Sequence, residues 1–356
     1  MHIGIITFAT MTQKDIRLLD KTGLIDLAKA YNQPAFRAKQ LYEWLWNKSC
    51  TSFDEMTSLP LGFRERLKED YTINGISENL VQNSIDGTIK SRYELHDGNM
   101  IESVLIPVPE DNRYTVCVSS QVGCSLSCKF CATGQMDRVR NLDPGEIYDQ
   151  VAKTNVQSMA YYNHLLTNIV YMGMGEPLLT YGNVLKSIEY ITSPDGLGMS
   201  PKRITVSTAG IAKMIKRMAD DQVKFNLALS LHAADDLKRN EIMPINEQNN
   251  LEILMDALSY FYQNTKNKIS YEYIIFKDFN DGVEDARKLL KLCKKFPVKL
   301  NIIEYNQVEG LNYKKATKNN LDAFAKVLTD NGVMVTVRKS RGEDIDAACG
   351  QLANKA

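Results

Sequence analysis

Apolar positions along the chain fall into three successive patterns. From about Thr12 to Tyr71 the spacing is helical. Ile16, Leu18, Leu19, Leu24, Ile25 and Leu27 come first, and Pro34 then opens a run carrying Phe36, Leu41, Trp44 and Leu45. Phe63, Arg66 and Leu67 mark a third short helix, so a small helical module with many exposed Lys and Arg is expected. From about Leu80 to Pro107 short alternating segments surround Asp86-Gly87 and Asp97-Gly98. Asp-Gly is a strong hairpin signal, which predicts a bridging set of antiparallel strands.

From Tyr114 onward strand-like apolar runs alternate with helical ones. The predicted strands are Tyr114–Ser119, Asn168–Met172, Arg203–Ser207, Phe225–Ser230, Ile269–Ile275, Val298–Ile303 and Val333–Arg338. The first intervening helix starts at Asp143-Pro144-Gly145-Glu146, with a capping residue, proline at the first position and an acid at the third. Regular strand–helix alternation implies a parallel sheet with helical crossovers. The fold class is therefore α/β, a partial (β/α) barrel with a small N-terminal helical domain and a short antiparallel β segment. Its active site belongs at the C-terminal ends of the strands. The expected domains are residues 1–75 (helical, accessory), 76–110 (bridging hairpins), 111–340 (barrel) and 341–356 (a tail).

The 356-residue chain is 44% hydrophobic and 24% charged, ordinary values for a globular enzyme. Lys plus Arg number 43 and so do Asp plus Glu, so global charge announces no polyanionic partner, although a local basic patch suffices for RNA. No stretch approaches the roughly 20 apolar residues that span a bilayer. The apolar Ile3–Ala9 run lacks a preceding basic region and reads as a first strand or a poorly ordered start. A cytoplasmic protein is expected. The seven cysteines are Cys50, Cys117, Cys124, Cys128, Cys131, Cys293 and Cys349, and a disulfide framework is not expected in such a chain.

Cys124, Cys128 and Cys131 have the spacing C-x3-C-x2-C directly after the first parallel strand. Three thiolates in one loop can hold three irons of a [4Fe–4S] cube and leave the fourth open. Zinc usually takes four ligands, often as two C-x2-C pairs, and no second pair exists here. With an aromatic residue, Phe130, before the last cysteine, the motif resembles the signature of the radical S-adenosylmethionine (SAM) superfamily. That resemblance implies that the three cysteines bind the cluster. It also implies that SAM chelates the open iron, and that one electron cleaves SAM to a 5′-deoxyadenosyl radical.

Gly173-Met174-Gly175-Glu176-Pro177 follows the second parallel strand and resembles the superfamily's GGE-P segment. Gly175 and Glu176 would hold the amino group of SAM. Ser207, at the end of the third strand, Ser230, Leu231 and His232, at the end of the fourth, and Asn306, after the sixth, match further cofactor-binding positions. Taken singly, the serines read as caps or turn residues and His232 as a structural histidine.

The whole chain resembles the RlmN group of adenine methyltransferases acting on 23S rRNA and tRNA. The segments that carry this are Val118–Cys124, Met172–Pro177, Met243-Pro244-Ile245-Asn246 and Asp344–Leu352. Carbon 2 of adenine is not a nucleophile, whereas a thiolate is a good one. The resemblance implies that Cys349 takes a methyl group from one SAM molecule. A radical from a second SAM activates that methyl group, and a protein–RNA adduct forms. It further implies that Cys117 releases the product by forming a disulfide with Cys349, and that Glu102 accepts the proton. For Glu102 a solvated strand carboxylate, and for Cys117 a packing cysteine, remain open.

An electron donor of the flavodoxin type and a monomeric state are also expected. RNA contacts are expected from the helical module and from Arg138, Arg140, Arg338, Lys339 and Arg341. Flexibility of the tail around Gly342 and Gly350 is expected too. Three other readings stay open on the sequence: a carbon-8 methyltransferase of the antibiotic-resistance type, a non-catalytic iron–sulfur RNA-binding module, and a radical enzyme acting on a small molecule.

Overall fold

A computed structural model describes residues 13–355; the Ile3–Ala9 run lies outside the described residues. The chain divides into a unit comprising the residues up to Gly75 with Ser193–Gly198, and a larger one comprising Ile76–Thr192 and the residues from Met199 onward. No helix among the described residues is long and apolar enough to cross a membrane.

The smaller unit holds α1 (Lys21–Ala30), α2 (Phe36–Trp46) and α3 (Leu61–Asp70). Their apolar faces bury Leu24, Leu41, Leu45, Trp46, Phe63 and Leu67. Ile16–Leu18 form a 3-10 turn instead of joining the first helix. The reason is Asp20, whose side chain accepts the Gly23 N–H at 2.8 Å and starts α1 one residue later. The Ser193–Gly198 segment is tied to the helices by Asn47 Nδ2, which donates to the Gly196 carbonyl at 2.7 Å.

The larger unit is built on one ten-stranded sheet whose spatial order follows the sequence. Its strands are β1 (Ser77–Asn83), β2 (Ile89–Glu94), β3 (Met100–Val108), β4 (Arg113–Cys117), β5 (Asn168–Tyr171), β6 (Ile204–Thr208), β7 (Asn226–Ser230), β8 (Ile269–Ile275), β9 (Lys299–Glu304) and β10 (Met334–Arg338). The first four pair antiparallel. From β4 to β10 every pairing is parallel. Gly87 (φ +85°) and Gly98 (φ +78°) supply the left-handed residues of the two predicted hairpins.

The crossovers are α4 (Pro144–Tyr162), α5 (Tyr181–Thr192), α6 (Ala212–Asp220), α7 (Asp236–Ile242), α8 (Leu251–Thr265), α9 (Val283–Cys293) and α10 (Lys318–Thr329). At the start of α4 the Asp143 N–H donates to Glu146 Oε2 at 2.8 Å, with Pro144 at the first position. Central strands are buried almost throughout, the pattern of a parallel sheet covered on both faces. Strands β1 and β10 are the two edges of the sheet, so it does not close on itself. The partial-barrel expectation holds.

Candidate active site

The C-terminal ends of the parallel strands open into a cleft. The loop after β4 brings Cys124, Cys128 and Cys131 to its wall, and the β5, β6 and β7 ends add Gly175 and Glu176, Ser207, Ser230 and His232. Cys349 comes from the far end of the sequence to line the same cleft.

The glycines of the β5 loop are dictated by close packing. A Cβ at Gly173 would lie 2.7 Å from Ser119 Oγ and 2.8 Å from the Val118 backbone. Gly175 has φ +94°, and a Cβ there would stand 2.5 Å from that of Gln121. Gln121 also accepts the Glu176 N–H at 2.8 Å. The Glu176 carboxylate accepts the N–H groups of Leu178 (3.0 Å) and Ala209 (2.8 Å). Burial nevertheless lifts it to about 6, against the opposing pull of those amides and the Thr208 hydroxyl.

Burial pushes the Cys124 thiol up to about 11, with Cys131 adding to the rise. Cys128 is raised further by burial and by Cys131 and Cys124. Burial disfavours three thiolates side by side on this wall, and a cationic partner would stabilise them. Among the described residues no three His, Cys, Asp or Glu side chains converge on a single-ion position. A cube takes each thiolate on a different iron, so the donor set fits a [4Fe–4S] cluster.

The tail is docked in this structure. The Ala132 N–H, next after Cys131, donates to the Gly350 carbonyl at 2.7 Å, and Thr133 Oγ1 donates to the Leu352 carbonyl at 2.6 Å. Gln351 Nε2 reaches the Gln307 carbonyl at 2.9 Å, and Arg92 reaches that of Asn354 at 3.1 Å. The residues that follow Cys131 thus hold the residues that follow Cys349. Cys349 stays open to the cleft, where desolvation by the walls raises its thiol and the Arg338 guanidinium works against that rise.

Cys117 ends β4 beneath this region, buried, and is pushed up to about 12 by burial and then by neighbouring Cys349. No disulfide joins any two of the seven cysteines, so the Cys117–Cys349 bond implied by the resemblance is not a feature of this state. Cys50 and Cys293 are buried and line no part of the cleft.

The remaining expected site residues are mostly buried. Glu102 is fully buried, not a solvated strand carboxylate. Its Oε2 accepts the N–H groups of Ala353 (3.0 Å) and Asn354 (3.1 Å), and Lys90 Nζ lies 3.3 Å from Oε1. Asn306 is buried outside the cleft wall and donates to the Cys349 carbonyl at 3.2 Å. Leu231 is buried too, its carbonyl receiving Arg239 Nε at 3.0 Å. His232 Nδ1 accepts the Ile274 N–H at 3.1 Å, which fixes the Nε2–H tautomer, and burial lowers its pKa to about 3.

Of the basic candidates, Arg140 is spent on both Glu146 carboxylate oxygens (2.8 Å each) and on Asp97. Arg341 lies 3.5 Å from Glu110. Arg338 lines the cleft, 3.9 Å from Glu272. Arg138 and Lys339 are exposed.

Two residues of this region escaped the sequence reading. Glu272, on β8, lines the cleft, and its Oε2 has no hydrogen-bond partner. Its signal was the alternation Ser270, Glu272, Ile274, which puts a carboxylate on the inward face of the strand. Arg239 is completely buried, although the polar run Asp236–Ile242 gives it the look of a surface residue.

Comparison with known proteins agrees with this geometry. A model of the radical SAM superfamily matches residues 118–293, and one described as the ribosomal RNA large subunit methyltransferase N-terminal domain matches residues 14–73. A Flavobacterium psychrophilum protein named "Probable dual-specificity RNA methyltransferase RlmN" is 53% identical over 343 residues, covering 96% of this chain and 98% of its own length. The "Dual-specificity RNA methyltransferase RlmN" of Nautilia profundicola is 42% identical over 334 residues, covering 91% of this chain and 94% of its own. The crystal structure of a radical SAM methyltransferase from Sphaerobacter thermophilus superposes with a TM-score of 0.90 at 34% identity, covering 95% of this chain and 99% of that one. Family membership implies a [4Fe–4S] cluster and SAM, which the cleft suits. The chain belongs to the RlmN family of radical SAM RNA methyltransferases.

Proposed function

We propose that this enzyme methylates carbon 2 of an adenosine in 23S rRNA and in tRNA, with Cys349 as the methyl carrier. The observation that carries the reading is the presence of Cys349 in one cleft with Cys124, Cys128, Cys131 and Glu176. Nothing in a cofactor-binding site alone calls for a fourth thiol delivered by a tail.

In this reading Cys124, Cys128 and Cys131 hold the cluster. Gly175 and Glu176 take the amino group of SAM, and Ser207, Ser230 and His232 surround the rest of it, with Leu231 and Asn306 supporting that wall from behind. When bound, the pair supplies a methyl group and, after one-electron reduction by a flavodoxin-type donor, a hydrogen-abstracting radical, so two SAM molecules are consumed per turnover. The Cys349 thiolate takes the methyl group, and its activated carbon later bonds to adenine carbon 2. Cys117 would then attack the Cys349 sulfur, forming a transient disulfide as the bond between that sulfur and the transferred carbon breaks. The unpaired electron of the adduct would return to the electron-transfer partner, and the released methylene would take up a proton to become the methyl group. Glu102 accepts the proton from the adduct carbon, for which its carboxylate must first release the amides of Ala353 and Asn354. The helical unit, with Arg138 and Lys339, binds phosphates and positions an unstacked base. The enzyme acts as a monomer in the cytoplasm.

The test is anaerobic. The cluster is reconstituted, and SAM with a deuterated methyl group, a reductant and unmodified ribosomal RNA or tRNA are added. The nucleosides are then digested and weighed. Deuterium-bearing 2-methyladenosine, absent with Cys349→Ala, is the expected product. A carbon-8 product would move the enzyme to the resistance type, and SAM cleavage without RNA product would overturn the substrate assignment.

A further inference from the structure

The segment Met243-Pro244-Ile245-Asn246 has no part in the chemistry above, and the structure gives it one through Arg239. This arginine lies on α7 and is completely buried. Its guanidinium donates to the carbonyls of Leu231 (3.0 Å), Ala209 (2.6 Å) and Ser230 (3.2 Å), and to Asn246 Oδ1 (2.5 Å). All four acceptors are neutral. Among the described residues Arg239 makes no ion pair with a carboxylate. The nearby Asp236 Oδ1 already accepts from Asn246 Nδ2 and the Leu251 N–H, at 2.9 Å each.

A buried cation with no carboxylate bonded to it is costly for a fold. The cysteine loop is joined to the end of the same helix. The Lys129 N–H, next to Cys128, donates to the Ile242 carbonyl at 3.0 Å, and the Met243 N–H donates to that of Arg239 at 2.8 Å. Ile242 and Met243 belong to an apolar cluster with Phe130, against which Cys128 and Cys131 pack. Arg239 lies close enough to Cys128 to interact with it electrostatically, as it also does with Asp236.

We propose that Arg239 is the buried counter-charge of the cluster. Fixed in place by Asn246 and by the strand-end carbonyls, it raises the potential at which the cluster accepts its electron. Reduction adds one negative charge to a site that already contains three thiolates, and a cation buried behind Cys128 stabilises that extra charge at low local dielectric. A staple between the ends of β6 and β7 is the competing role. It depends on the several donors of the guanidinium, whereas tuning depends on charge alone. Lysine separates the two, because it keeps the charge and cannot reach all four acceptors.

This inference rests on the cluster assignment made above. The test is a redox titration of the reconstituted holoenzyme without SAM, followed by electron paramagnetic resonance, together with thermal melts. Arg239→Gln is expected to make reduction at least tenfold less favourable, a fall of about 59 mV for a one-electron couple. Arg239→Lys is expected to stay within twofold of the parent enzyme while melting at a lower temperature. Asn246→Asp places a carboxylate on the guanidinium and is expected to lower the potential as well, which keeps the test alive if Arg239→Gln takes up no cluster. Charge-changing variants within twofold of the parent, or Arg239→Lys falling as far as Arg239→Gln, would overturn the proposal. A parent enzyme that binds no cluster would instead overturn the function on which it rests.

Discussion

The Glu102 carboxylate accepts the backbone N–H of Ala353 at 3.0 Å, so a strand of the antiparallel edge is fastened to the tail that delivers Cys349. Lys90, itself buried, neutralises that carboxylate and reaches the Asp346 carbonyl at 3.4 Å. Removing one partner of such a pair leaves an unpaired buried charge, a loss of about 3–5 kcal/mol. Glu102→Ala is therefore expected to destabilise the protein by that order and to speed hydrogen exchange at Ala353 and Asn354. Lys90→Met combined with Glu102→Leu should recover much of the stability without the tail protection. Unchanged exchange in the single variant would mean that the tail is held elsewhere.

The two thiols assigned to the transfer differ sharply in access. Cys349 is open to the cleft, whereas Cys117 is buried and resists ionisation up to about 12. Reactivity follows the accessible thiolate, so an alkylating agent at pH 8 should label Cys349 at least roughly tenfold faster than Cys117. Peptide mass mapping over a time course reads this directly. Equal rates would mean that the tail does not dock as described.

Gly175→Ala puts a methyl group 2.5 Å from the Gln121 side chain at a residue with φ +94°. The backbone strain alone costs about 1–2 kcal/mol, and the clash displaces the N–H of Glu176 from Gln121. SAM binding to the reconstituted enzyme, measured by calorimetry, should weaken at least tenfold with the fold retained. Affinity equal to that of the parent would remove the β5 loop from the cofactor site.

His232 sets an acid limit. Its folded pKa of about 3 lies below the unfolded value of about 6.5, so at intermediate pH the unfolded chain binds a proton that the fold refuses. This contribution is therefore intact above about pH 6.5 and is lost as pH falls toward 3, by up to about 1.4 kcal/mol per pH unit. Urea melts between pH 7 and 5 should show the decline, and His232→Gln should flatten it. A slope unaffected by the substitution would place the sensitivity in other groups.

The parallel strands were legible because a doubly covered sheet needs continuous apolar runs, and Ile269–Ile275 stands as expected. The cysteine loop and the Gly-Glu loop stood out in the sequence because each is a compact local motif, and both line the same cleft. Docking of the tail was not, because it depends on main-chain bonds from Ala132 and Thr133 that no side-chain pattern announces. Arg140 looked like a phosphate contact, since sequence spacing does not show that Glu146 and Asp97 converge on it from two elements. Arg239 was hidden for the same reason: its four acceptors come from three separate segments.

The most direct test of the central claim, that Cys349 carries the methyl group to RNA, uses Cys117→Ala. Without the Cys117 thiol the last bond cannot be resolved. The reconstituted variant, supplied with SAM, reductant and RNA substrate, should accumulate a covalent protein–RNA adduct on denaturing gels, with the linkage mapped to Cys349. The adduct should vanish in Cys117→Ala/Cys349→Ala. Methylated RNA released freely by the double variant would contradict the account.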